Sequence, residues 1–287
     1  MENFRQRSSH PSYLFGTYHG TYDILYQYTD SIPELHQAFN ACSQFAGESE
    51  TTSKPTPAQV GAAIKLPKDT TYADLLNKED FHFLDSIVRQ SLKSPLNKVY
   101  IKPNFLALIL GEIEKGKKLV DTGYSQSRID SMKSQVMDIA LEKKAKEKGL
   151  TIVGLEGIFD AFVSEKSNLK KEADELISDL REDDEISPLS FVNTLSDVYR
   201  TQNMKSLIDF EVKVDSIFRT SPKLTEIGKR IREDLLKRRN LNWMNKIPEL
   251  MKAQPTFIAV GVRHLPGKDG LIALLLEKGY QVEPIGL

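Results

Sequence analysis

Phe257-Ile258-Ala259-Val260-Gly261-Val262-Arg263-His264 decides how this chain is read: four apolar residues, a glycine, and a histidine three positions later. A short apolar run bounded by Pro255 and Gly261 reads as a buried β-strand, here Thr256 to Val260. The same ending occurs near the N-terminus, where Ser12-Tyr13-Leu14-Phe15 runs into Gly16-Thr17-Tyr18-His19. Two more strand-like runs end in a glycine followed by an acid, Phe45-Ala46-Gly47-Glu48 and Ile152-Val153-Gly154-Leu155-Glu156.

In an α/β sheet, ligands bind beyond the carboxyl ends of the strands. If these four strands are parallel, His19, His264, Glu48 and Glu156 emerge on one edge. The glycines are expected to allow close backbone approach and positive φ, and the histidines to face an open cleft. Two imidazoles with one or two carboxylates hold a divalent metal, or act as acid and base without one.

Outward from these strands the pattern is helical. Ser31-Ile32-Pro33-Glu34 reads as a helix start, with Ser31 as N-cap and Glu34 in the capping-box position, leading a helix over 32–41. Residues 49–67 read as a loop with one short helical turn. Amphipathic spacing predicts a helix over 80–92, and an almost wholly apolar pattern a buried one over 104–113. A long helix over 130–148 is stopped by Gly149. Charged amphipathic helices fill 168–238, broken near Ser187-Pro188 and Ser221-Pro222. A helix over 240–252 is expected to kink at Pro248. Another over 270–278 stops at Gly279 and leads to a closing strand, Tyr280 to Val282. Strand, Gly-x-x-His, helix, strand thus occurs twice, at 12–48 and 256–283. The fold expected is α/β in a single domain, 1–287. A central, mainly parallel sheet forms from N- and C-terminal strand–helix–strand units, with a large helical insertion (about 168–238) packed beside it.

Composition removes some function classes. The 39 basic and 40 acidic residues give a net charge of −1, so nothing electrostatic favours nucleic acid or an anionic membrane as partner. The cluster Lys237-Arg238-Arg239 reads as a charged helix face. Cys42 is the only cysteine, which excludes an intramolecular disulfide and a cysteine-based metal cluster; it is expected to be a small buried hydrophobe. No stretch approaches the ~20 apolar residues of a membrane span. Residues 1–11 are polar, as expected of a cytosolic protein or of one whose export signal this sequence does not carry.

The run Pro11 to His19 resembles the opening of the TraB/GumN family, which includes the Tiki-type Wnt proteases. So do Met137-Asp138, Gly154-Leu155-Glu156, Arg239-Asn240-x-x-Trp243, and Phe257 to Gly267 leading to Gly279-Tyr280-Gln281-Val282. The resemblance implies a metal-dependent hydrolase, foremost a peptidase, in a wider group with erythromycin esterases and haem-binding ChaN-like proteins. It implies His19, His264 and Glu48 as ligands of Mn²⁺, with Co²⁺ or Zn²⁺ as alternatives, and Glu48, Glu156 and Arg239 as catalytic residues acting on a peptide or small-molecule substrate. Family members usually carry an export signal and one more strand before the first Gly-x-x-His; here only a short polar stub precedes it. Where they tend to have Gly-Asp in the helical region, this chain has Gln202-Asn203.

Plainer readings stand beside these. His10, His36 and His82 read as surface or helix-face residues. Glu48, close to Glu50, reads equally as a solvated carboxylate, and Glu156 as a helix cap. Arg239 either binds a substrate carboxylate or oxyanion, or pairs with Glu156 or Asp138 in a structural bridge. Asp138 reads as a solvated or bridged acid, and Trp243, Met244 and Ile247 as core. The alternative functions are a metal-independent, esterase-like hydrolase and a non-catalytic peptide- or haem-binding protein.

Overall fold

The computed structural model describes residues 10–18, 24, 26–50, 55–160, 168–181 and 188–285. These divide into two compact units, one of residues 1–53, 132–161 and 187–287, the other of 54–131 and 162–186.

The first unit is built on four parallel strands, β1 (Tyr13–Thr17), β2 (Gln44–Gly47), β3 (Thr151–Gly154) and β4 (Thr256–Gly261), in the order β1-β4-β2-β3. The four expected strands are all present, each within two residues of its predicted bounds. β2 and β4 are central and wholly buried, which is why they read as continuous apolar runs rather than alternating ones.

Side chains along β4 alternate between the two faces of the sheet. Phe257 and Ala259 join Phe45, Phe39, Leu35 and Leu141 under the helices Pro33–Asn40 and Met137–Glu147. Ile258 and Val260 join Ala46, Trp243, Ile247, Leu271 and Leu275 under the helices Arg238–Trp243, Ile247–Ala253 and Leu271–Glu277. Three aromatic rings anchor the first layer, Phe39 standing edge-on to Phe257 at 5.1 Å and Phe45 stacking on Phe257 at 6.3 Å. Each such buried side chain contributes about 1.5–3 kcal/mol.

Several local readings are corrected. Residues 280–285 carry no strand, so the second copy of the repeat lacks its closing strand; Tyr280 and Val282 pack against the cluster of Leu271 and Leu275. Their alternation reflects packing without a ladder. Ile32, not Ser31, precedes the first helix, and no side chain caps it; Ser31 Oγ donates instead to Tyr28 O. The stretch read as a loop contains the eight-residue helix Pro57–Ile64, started by a Thr56/Gln59 capping box. The long helix over 130–148 is two, Gln126–Ser134 and Met137–Glu147, separated at Val136 where ψ is 134°. Pro248 does not kink a helix but sits in the first turn of Ile247–Ala253, where its missing N–H costs nothing. Cys42 is buried, and burial pushes its thiol up to about 11 despite Lys148 nearby; it is inert.

The helices of 168–238 divide between the units. Leu169–Arg181 belongs to the second unit, where Ala173, Leu176 and Ile177 share a core with Leu84, Val88, Leu106 and Leu110 of the helices Lys78–Leu92 and Pro103–Asp121. Leu106 is fully buried but Leu108 is 44% exposed, so the helix expected to be buried all round covers only one face. Residues 188–230 belong to the first unit, where Leu207, Phe210, Val214 and Phe218 form their own cluster. Among the described residues no helix is long and apolar enough to cross a membrane.

Candidate functional site

Parallel strands in register bring their carboxyl ends to one edge. The ladder between β2 and β3 continues past both strands, Leu155 N donating to Gly47 O and Glu156 N to Glu48 O at 2.8 Å. Glu48 and Glu156 therefore leave neighbouring chains at the same level. β4 ends at Gly261 and turns at once through a single 3₁₀ turn, Val262–His264, which buries the His264 ring.

The fourth contributor comes from a helix. Ile231–Lys237 is a π-helical stretch, with Arg238 N donating to Glu233 O five residues back, and it runs straight into Arg238–Trp243. π-helical turns shift the register of the residues that follow and are frequent at functional sites. Here Arg239 points inward while Lys237 pairs with Glu233 on the surface. The basic cluster is thus not one solvated face.

Arg239 is the hub. Its Nε donates to Glu156 Oε1 at 2.9 Å and to Oε2 at 3.2 Å; its Nη2 lies 2.5 Å from both Glu156 Oε1 and Glu48 Oε2. Nη1 meets His264 Nε2 at 3.2 Å and Leu235 O at 3.5 Å. Every nitrogen of the fork is thereby engaged within the protein, the arrangement that the structural-bridge reading with Glu156 expects. Burial alone would lower the pKa of Arg239, and this is the largest single effect. The Glu156 hydrogen bond and the charges of Glu48 and Glu156 together outweigh it, raising the pKa above its ordinary value, so the guanidinium is a permanent cation.

Glu156 is similarly occupied, since Oε2 also accepts from Trp243 Nε1 at 3.0 Å. It holds the arginine and caps no helix; Gly157 N donates instead to Asp160. Trp243 is the floor, fully buried, with its ring centroid 4.7 Å from the Arg239 guanidinium carbon and 4.5 Å from the His264 ring. Glu48 differs from both. Its Oε1 accepts from Gly261 N at 2.7 Å and lies 3.8 Å from His264 Nε2. With its side chain 19% exposed, against 10% for Glu156 and Arg239 and 4% for His264, it is the member solvent reaches most easily.

Asn240 went unremarked as a site residue in the sequence although it stands in the quoted motif Arg239-Asn240-x-x-Trp243. Its Oδ1 is 2.7 Å from His264 Nδ1. The only sequence signal was that position beside Arg239. Asp138 is bridged as expected, but by Thr17 Oγ1 at 2.8 Å rather than by Arg239. Tyr199 closes the end of β1, its hydroxyl donating to Gly16 O at 2.8 Å. His19 lies outside the described residues, so the expected meeting of the two imidazoles concerns a part of the chain not described.

Of the four turn glycines none has positive φ. Close approach is what Gly16 and Gly154 provide. A Cβ on Gly16 would stand 2.9 Å from Val262 Cγ2, and one on Gly154 2.9 Å from Glu50 N.

Among the described residues no group of three or more His, Cys, Asp or Glu side chains is arranged to hold a metal ion. The geometry gives a reason: the cation between Glu48 and Glu156 is a guanidinium. Of the ligands that the resemblance implies, His264 and Glu48 lie among the described residues and His19 lies outside them.

A parallel sheet with two carboxylates, a buried arginine and a histidine gathered beyond its strand ends defines an α/β protein with a polar centre at the strand termini. The chain belongs to the TraB/PrgY/gumN family, whose model matches residues 4–284, nearly its whole length. No curated protein and no solved structure matches it.

Proposed function

We propose that the chain is a hydrolase that cleaves an acyl bond, with peptides the first substrate class to test, and that Glu48 and His264 together activate the attacking water. The observation that carries this is the 3.8 Å separation of Glu48 Oε1, on the most exposed member of the cluster, from His264 Nε2. At that distance the two atoms do not hydrogen-bond to each other, and a polar contact beyond about 3.5 Å is where a water is to be sought. Glu48 takes a proton from this water as its oxygen bonds to the substrate carbonyl carbon, and returns the proton to the leaving group as the carbon–heteroatom bond breaks. Arg239, itself held by Glu156, fixes Glu48 in place.

The metal-dependent form of the same reading is favoured by one feature: a nitrogen and an oxygen donor, His264 Nε2 and Glu48 Oε1, lie close enough to be ligands of one ion. His19 is the third ligand that the sequence suggests. Mn²⁺, or Co²⁺ or Zn²⁺, would supply when bound a water of lowered pKa; mixed nitrogen and oxygen donors do not choose among them.

The test is a panel of generic peptide and ester substrates given to protein purified without chelator, assayed with EDTA and with added Mn²⁺. Hydrolysis that survives EDTA and is lost in Glu48→Gln supports the metal-free form, and hydrolysis restored by Mn²⁺ the metal-dependent one. No turnover under any of these conditions overturns both and leaves a peptide- or haem-like ligand to be sought by binding.

A further inference from the structure

We propose that Asn240 is a positioning residue that holds His264 as the neutral imidazole protonated on Nδ1, with the Nε2 lone pair turned toward Arg239. The hydrogen-bond pattern dictates this from two sides. Asn240 Nδ2 lies 3.1 Å from His264 O and 2.8 Å from Asp269 O. Carbonyl oxygens only accept, so the NH₂ group must face them and the amide oxygen must face the ring. That oxygen also only accepts, so the proton in the 2.7 Å contact belongs to His264 Nδ1. On the far side of the ring, Arg239 Nη1 stands 3.2 Å from Nε2. A guanidinium only donates, so Nε2 carries the lone pair.

Both assignments agree, and each is made without the other. Asn240 is 1% exposed and His264 3%, so water does not compete for these contacts. The clamp also fixes orientation. One side chain grips the ring and the backbone carbonyl of the same histidine, together with a carbonyl five residues on, so ring and turn are held as one piece. The Trp243 ring against the imidazole limits rotation about χ2. A histidine whose second nitrogen is held in this way has one defined lone pair, and here it accepts from Arg239 Nη1.

The experiment is nitrogen-15 NMR of the full chain labelled at histidine, with the His264 signals assigned by their loss in His264→Gln. At neutral pH the wild type is expected to show a protonated Nδ1 and an unprotonated Nε2. Asn240→Asp keeps an acceptor opposite Nδ1 and is expected to keep this tautomer. Asn240→Ala is expected to shift the His264 nitrogens toward a tautomer mixture while the other histidines stay unmoved. A protonated Nε2 in wild type, a changed tautomer in Asn240→Asp, or unmoved His264 signals in folded Asn240→Ala overturns the proposal. Should Asn240→Ala fail to fold, the wild type and Asn240→Asp decide it. The consequence for turnover rests on the proposed hydrolase reading: kcat of Asn240→Ala should fall about 10- to 100-fold, the usual effect of losing a partner that orients a histidine, with KM little changed. An altered tautomer with unchanged kcat would remove the functional role and leave the positioning one. Because the NMR arm needs no turnover, its failure and that of the hydrolase reading are distinct results.

Discussion

Gly261 N donates to Glu48 Oε1 at 2.7 Å, so the last residue of one strand fixes the carboxylate that follows its neighbour. The other oxygen of Glu48 is held by Arg239, and a carboxylate is the only side chain of this size that accepts from both. Glu48→Gln has one acceptor oxygen to offer, and its NH₂ must face a donor. It should cost about 1–3 kcal/mol of stability, the usual cost of a broken charge-assisted hydrogen bond, and abolish hydrolysis. Urea unfolding and the substrate panel check this. A variant as stable and active as wild type would show that Glu48 is merely a solvated acid.

Arg239→Ala should be among the most damaging single changes. It leaves the carboxylates of Glu48 and Glu156 facing each other in a largely buried site, and breaking such a network from one side costs about 3–5 kcal/mol. Arg239→Lys keeps the charge but loses the fork that serves Glu156, Glu48 and His264 at once, so it should fall between. Because the folded pKa of Arg239 is raised, the stability it confers is fully present below its ordinary value. It is lost only as pH rises through the higher folded value, so it should not vary between pH 6 and 9. Arg239→Ala within about 0.5 kcal/mol of wild type, the range of ordinary surface substitutions, would contradict the network's importance.

The expectation that His264 faces an open cleft, so that its loss would spare stability, does not survive its burial. At 3% exposure and with Asn240 and Arg239 bonded to its two nitrogens, His264→Ala orphans both partners and leaves a void beside Trp243. It should lower stability by at least ~1–3 kcal/mol as well as abolish turnover. Melting curves and activity corrected for the folded fraction separate the two effects; a remaining activity that simply tracks the folded fraction would mark His264 as scaffold.

Much of the sheet was legible because a buried parallel strand ending in glycine has few other readings; all four strands fell where Phe15, Ala46, Val153 and Val260 pointed. Glu48, Glu156, Arg239 and His264 were likewise nameable, since strand ends and the Arg239-to-Trp243 motif locate them. Two things were hidden. The division of labour, with Arg239 and Glu156 bound to each other and Glu48 left partly exposed, depends on side-chain directions that no spacing encodes. The inward turn of Arg239 depends on the π-helical register before it, invisible in a run reading Lys237-Arg238-Arg239. The missing strand at Tyr280 shows the opposite error, in which alternation produced by packing on Leu271 and Leu275 imitates a ladder.

Two phenols, Tyr72 buried and Tyr199 half-buried, predict a response to alkaline pH. Tyr199 donates to Gly16 O and Tyr72 to Ile101 O, and the ordinary phenol pKa of 10.0 is raised for each, first by burial. Nearby acids, Asp138 for Tyr199 and Glu172 for Tyr72, add to the rise. A raised folded pKa means that stability is fully present below the unfolded value and declines above it, because the unfolded chain releases the proton first. Each tyrosine should subtract about 1.4 kcal/mol per pH unit above its ordinary value. Urea unfolding from pH 8 to 11 should show this slope, and Tyr199→Phe and Tyr72→Phe should each remove one proton's share. An unchanged slope in either variant would mean that its phenol ionises as readily folded as unfolded.

Gly16 ties the two Gly-x-x-His turns together, and that contact is testable without any assay of function. A methyl group added there would meet Val262 Cγ2 at 2.9 Å, and Leu265 Cδ1 and Val262 Cα at 3.0 Å. One of these atoms is backbone, so a rotamer change cannot relieve the clash. The backbone at Gly16 is not left-handed, so conformational strain plays no part and space alone is at issue. Gly16→Ala should therefore destabilise by about 1–3 kcal/mol, the usual cost of overpacking, although alanine suits a strand at least as well as glycine does. Shortening the obstacle tests the cause: Val262→Ala removes Cγ2, so the double variant Gly16→Ala, Val262→Ala should lose less stability than the two single changes sum to, by more than the ~0.5 kcal/mol expected of independent sites. Strict additivity would mean that the turns do not touch as described, and that the glycine before His19 is there for some reason other than room for the turn that carries His264.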